Sequence, residues 1–167
     1  GGDPTYLADH FNGNAVVSFD GVDDALGYVP DVVHPRTFIF VVTAADLSDE
    51  GYNKRICYGD NGGMYHDGSN WSMWIDSQLS GSNTSAPLIL SCVWDGGDSV
   101  IRENGTQTGS GNPGTGTSSN MNIGNRPSED YFPGDIGELI VYDDNLDSTG
   151  EISNEEQRLA DKWGISI

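Results

Sequence analysis

Apolar residues alternate with polar ones at period two over many short stretches of this 167-residue chain, and shift to a helical spacing only near its end. The alternation, with turn residues at its borders, predicts strands at 15–19, 25–29, 37–43, 54–59, 71–76, 87–94 and 99–103. Residues 37–43, Thr-Phe-Ile-Phe-Val-Val-Thr, are the most β-prone and belong at the centre of a sheet. Asp95-Gly96-Gly97-Asp98 joins two strands as a hairpin, and Asn104-Gly105 marks a tight turn, because both residues tolerate positive φ. Residues 60–70 and 109–120 lack periodicity and read as loops, the second a mobile one. Residues 134–143 form a strand that is apolar on both faces. Ile136, Glu138, Ile140 and Tyr142 share one face, and Leu139 and Val141 the other, so both faces are to be buried. Asp144-Asn145-Leu146-Asp147 then turns the chain. Ile152, Leu159 and Trp163 make a single stripe and predict one helix over 151–163. A capping box from Ser148 or Ser153 is expected at its start, and Gly164 at its stop.

Composition narrows the class. The chain is read as one domain over 1–167, long enough to bury a core without staples. Its 23 glycines and abundant Asp, Asn, Ser and Thr give many turns and short elements, which favours an all-β sandwich over a helical bundle. No apolar run is long enough to span a membrane. The first residue is Gly1 rather than Met, so a processed form or a segment of a longer protein is expected. Seven basic against 26 acidic residues give a net charge of −19, spread through the turns. Such a surface repels phosphate backbones and argues against nucleic acid as a partner. It also suits a saline habitat, marine or haloarchaeal, where salt screens the self-repulsion.

The ordered motifs resemble one family. Phe19-Asp20-Gly21-Val22-Asp23-Asp24, then Leu90 to Trp94-Asp95-Gly96, then Glu103-Asn104-Gly105, resemble the laminin G-like, concanavalin A-like sandwich. The ending 134–142, with a helix closing at Lys162-Trp163-Gly164, resembles its bacterial and viral versions, and the likeness runs from about 15 to 163. It implies a two-sheet antiparallel jelly roll, one sheet concave and one convex, with one short C-terminal helix packed outside. It also implies a structural Ca²⁺ as the expected cofactor, with Asp20, Gly21 (through its carbonyl), Asp23 and Asp135 as candidate ligands. Acidic turns in an acidic protein are the alternative.

Several chemistries are tested by the residues. Cys57 and Cys92 lie in separate strands and either pair as a disulfide or serve as two small buried side chains. The seven Glu residues (50, 103, 129, 138, 151, 155 and 156) begin no Glu-x-Asp run of the kind sandwich glycosidases use, so no catalytic residue is assigned. Gly109 to Gly114 spells a dinucleotide pattern outside any strand–helix unit, and residues 143–147 open like an EF-hand loop but lack its glycine and closing glutamate. The candidate ligand-binding cluster is Tyr65, His66, Asn70, Trp71 and Trp74, with Tyr58 beside them. Flat aromatics stack on sugar rings, and Asn and His bracket the hydroxyls. Alternation puts Trp71 and Met73 on one face and Ser72 and Trp74 on the other, so at most one tryptophan is exposed. The expected function is a non-catalytic, lectin-like surface-recognition module binding glycans or a cell envelope, outside the cell or on a cell or virion surface. A structural protein of a viral particle, touching neighbouring subunits and able to oligomerise, is the second reading. A glycoside hydrolase is the third.

Overall fold

The computed structural model describes residues 2–47, 54–126 and 129–167; Glu50 lies outside them. Among the described residues the chain forms β1 (Thr5–Phe11), β2 (Asn14–Asp20), β3 (Leu26–Val29), β4 (Arg36–Ala45), β5 (Lys54–Tyr58), β6 (Gly63–His66) and β7 (Trp71–Trp74). It continues with β8 (Gln78–Ser80), β9 (Leu88–Trp94), β10 (Ser99–Glu103), β11 (Thr106–Gly111), β12 (Met121–Ile123), β13 (Pro133–Tyr142), α1 (Leu146–Thr149) and α2 (Ile152–Trp163). A seven-stranded antiparallel sheet runs β1-β2-β13-β4-β9-β10-β11, and a six-stranded one runs β3-β12-β5-β6-β7-β8. This is the two-sheet jelly-roll sandwich with a C-terminal helix, and the strong strand β4 is the middle one of its sheet.

Two cores follow from the alternation. Phe38, Phe40, Val42, Leu88, Leu90, Cys92 and Trp94 point between the sheets and meet Ile56, Cys57, Met64, Trp71 and Met73 from the other side. The intervening Ile39, Val41, Ile89 and Val93 point outward, where they are covered by Ile152, Leu159, Ala160 and Trp163 of α2. β4 and β9 are therefore apolar on both faces, and the helix is the third layer. Cys57 and Cys92 are buried free thiols within the inner core, so they are the two small side chains and not a bridge. Burial pushes both thiols up, away from the reactive thiolate.

Some expectations are corrected. Gly137 forms a β-bulge in β13 and shifts the parity, so Ile136 joins Leu139 and Val141 toward the inner core while Glu138 sides with Ile140 and Tyr142 toward α2. A Cβ on Gly137 would stand 2.3 Å from the Trp163 ring, which is why a glycine holds the place. Glu138 then accepts from Lys162 Nζ at 2.7 Å and Trp163 Nε1 at 2.9 Å. The capping box does not form. Asn145 instead caps α1 by accepting the Ser148 N–H, and Gly150 in the left-handed region resets the chain before α2. Gly164 stops α2 as expected, with its N–H on the Ala160 carbonyl. The 109–120 segment is partly strand, and Asp76 ties down the rest by accepting the N–H groups of Thr115 and Gly116, each at 3.1 Å.

One buried acid sets the behaviour at low pH. Burial works to raise the Glu103 carboxyl, but hydrogen bonds from Thr84, Ser82 and Thr108 outweigh it and hold the group below its ordinary 4.5. The unfolded chain thus binds a proton more readily, so this stabilisation is present above about pH 4.5 and is lost as pH falls through the lower folded value. Melting temperature recorded against pH is expected to fall steeply below that point. Glu103→Gln is expected to flatten the acid limb.

Candidate functional site

Among the described residues no helix lies over the outer face of the six-stranded sheet, and its composition is unlike that of the inner one. Register pairs place Arg55, Tyr65, Ser72 and Ser80 in one row across β5 to β8, and Tyr58, Gly63, Trp74 and Gln78 in the next. A bulge at Ile56 brings Arg55 and Tyr58 to the same outer face while Ile56 and Cys57 both turn inward. Tyr58 and Tyr65 are buried yet belong to neither apolar core. Their neighbour is the Arg55 guanidinium, 4.2 Å from each ring centroid and 3.3 Å from Asp130 Oδ2. Trp74 stands at the open end of this platform and is 38% exposed.

A polar network completes the surface. Gln78 Nε2 donates to Asp67 Oδ2 at 2.7 Å and to Ser80 Oγ at 2.8 Å, and the Ser72 hydroxyl donates to Asp67 at 3.2 Å. Asp67 Oδ1 accepts the N–H groups of Ser69 and Asn70, which folds residues 66–70 into a tight turn with Gly68 at positive φ. Burial works to raise the Asp67 carboxyl, but these hydrogen bonds prevail and its pKa is lowered. Burial pushes the Tyr65 phenol up to about 12, so it stays protonated and able to donate.

The five residues singled out in the sequence divide. Tyr65 and Trp74 are on the outer face, and Asn70 sits at the turn beside it. Trp71 and His66 are corrections, because both point inward and are 0% and 1% exposed. Strand parity decides Trp71, whose indole N–H donates to the Thr84 carbonyl at 2.9 Å. His66 accepts the Gly68 N–H on Nδ1 at 3.2 Å, which leaves Nε2 to donate to Asn83 Oδ1 at 2.9 Å, so it builds the turn that presents Asp67. Sequence reasoning missed Arg55, Asp67, Ser72, Gln78 and Ser80. The sequence predicts a loop over 60–70, whereas Met64-Tyr65-His66 pairs with Trp71-Ser72-Met73 across a four-residue turn, a hairpin signal in itself.

The candidate calcium ligands also divide. Asp20, Asp23 and Asp24, all within the 20–24 turn, gather with carboxylate oxygens within 4.8 Å of one another. Asp20 Oδ1 accepts the N–H groups of Val22 and Asp23, and Asp24 Oδ2 accepts that of Asp20, so main-chain hydrogen bonds already account for the turn. Asp135 is a correction. It lies along the ladder opposite Ser18 and pairs with His10 at 3.1 Å rather than joining the three. Gly21 is held at positive φ against Pro133, a fit that a Cβ would break.

The class defined by this fold is the two-sheet jelly-roll sandwich, and solved structures share it. Domain 4 of AbnA, a GH43 extracellular arabinanase from Geobacillus stearothermophilus solved with arabinotriose, superposes at a TM-score of 0.62 and 19% identity, covering 92% of this chain and 81% of that one. Trypanosoma rangeli sialidase in complex with sialic acid superposes at 0.65 and 13% identity, covering 94% of this chain but only 29% of the sialidase. The heptameric SAP-like pentraxin of Limulus polyphemus gives 0.61 and 18% identity over 81% of this chain and 78% of its own. No family model and no curated protein matches the sequence.

Proposed function

We propose that this protein is a non-catalytic, lectin-like module of the laminin G-like kind that binds a saccharide on the outer face of its six-stranded sheet. The observation that carries this reading is the half-exposed Trp74 beside a fixed hydrogen-bonding network of Asp67, Ser72, Gln78 and Ser80. An indole face stacks on the apolar face of a sugar ring, and oriented polar groups at its edge select the hydroxyls. Asp67 suits the role of acceptor rather than proton donor, since its lowered pKa keeps it ionised. The arabinanase domain solved with arabinotriose supports a saccharide on a like scaffold. A display site outside the cell follows from a ligand of that kind.

Trp74→Ala tests it. Binding to a polysaccharide column is expected to fall at least about tenfold, while the melting temperature moves little because the ring is partly in water already. Unchanged retention would remove the site from this face.

A further inference from the structure

We propose that the ligand is an uncharged polysaccharide, held through its hydroxyl hydrogens, and that acidic glycans are excluded; this rests on the saccharide reading above. To hold a carboxylate or sulfate, a site needs donors free to point at it, and an arginine fork is the usual supplier. The arginine at the centre of this face is already engaged. Arg55 has a side chain only 7% exposed, lies against Tyr58 and Tyr65 and pairs with Asp130 at 3.3 Å. Arg126, whose guanidinium lies 5.9 Å from the Tyr58 ring, is half-exposed and pairs with Glu129 at 3.1 Å, so an incoming anion would compete with that carboxylate for it.

The network beside Trp74 is built around the Asp67 carboxylate. The four residues that hydrogen-bond to Asp67 (Ser69, Asn70, Ser72 and Gln78) are all neutral, so the carboxylate keeps its full charge. Gln78 spends its amide N–H groups on Asp67, Ser72 and Ser80, which leaves its carbonyl oxygen for a ligand. Sugar hydroxyls can donate to such oxygens, and anionic substituents cannot. The long-range field works the same way, because a protein of net charge −19 repels a polyanion before contact, over about 10 Å at ~0.1 M salt.

The test uses the whole chain against two polysaccharide panels, by affinity electrophoresis and calorimetry, at about 50 mM and about 1 M salt. The neutral panel is linear arabinan, xylan, mannan and β-glucan; the acidic panel is polygalacturonate, alginate and heparin. Binding of at least one neutral polymer, with affinity the same within about twofold at both salts, is expected, with no acidic polymer bound at either salt. Asp67→Asn keeps the turn-forming oxygen but removes the charge, and is expected to weaken the neutral ligand by about tenfold with the melting temperature retained. If an acidic polymer binds more tightly than every neutral one, this inference fails while the saccharide reading stands. If neither panel binds, the saccharide reading fails and takes this inference with it.

Discussion

Arg102→Ala is expected to lower the unfolding free energy by about 3–5 kcal/mol, a large share of what a domain of this size possesses. The reason is Glu156, an acid on α2 that is 0% exposed. It is tolerable there because the Arg102 guanidinium reaches it from β10, with Nε at 3.0 Å and terminal nitrogen at 3.0 Å, and because the Ser91 hydroxyl of β9 donates at 2.8 Å. The same arginine donates to the Gly105 carbonyl at 2.7 Å, so it joins the β10–β11 turn to the helix. Removing it strands a charge in an apolar layer, which costs far more than the pair itself contributes. Urea unfolding followed by circular dichroism measures the loss. The double variant Arg102→Met with Glu156→Met should recover most of it, since an apolar pair of similar volume strands nothing. A loss below about 1 kcal/mol in the single variant would mean that water or another cation replaces the arginine, and the helix would not be clamped as described.

How much of this was legible in the sequence depends on where alternation is honoured. β4, β9 and the stripe on α2 are legible because their burial is nearly complete and their period unbroken, and the hairpin at 95–98 and the stop at Gly164 follow from their glycines. Parity fails at the bulges. Ile56 brings Arg55 onto the ligand face and Gly137 turns Ile136 inward, and a bulge leaves no signature in hydrophobicity. β1 is missed because it is a largely exposed edge strand, with Tyr6 69% exposed and only Leu7 and Phe11 resting on the outer core, and β11 because Thr-Gln-Thr-Gly-Ser-Gly carries no apolar face at all. The site was half legible. Its aromatic members stand out by residue type, whereas Asp67 and Gln78 gain their roles from a turn and a third strand that only the pairing reveals.

Trp71 and Trp74 make the strongest test of that pairing, because only two residues of one short strand, Ser72 and Met73, separate a core residue from a surface one. Trp71→Ala is expected to destabilise by about 3–5 kcal/mol through the cavity it leaves and the lost contact to the Thr84 carbonyl. Trp71 packs edge-on to His66 with ring centroids 5.2 Å apart, so the damage reaches the turn that carries Asp67 and binding falls as a consequence of unfolding. Trp71→Phe fills most of the volume, and is expected to lose part of the stability while binding saccharide normally at a temperature where it is folded. Trp74→Ala should show the reverse pattern, stable and unable to bind. A register slip of one residue in β7 would exchange the two outcomes, since it turns every side chain of the strand to the other face. Thermal unfolding and polysaccharide retention measured on the same three variants therefore decide the register and the site together. If Trp71→Phe lost binding while keeping its melting temperature, the ligand would lie on the inner side of this hairpin, and the outer platform of Tyr58, Tyr65 and Arg55 would be structural only.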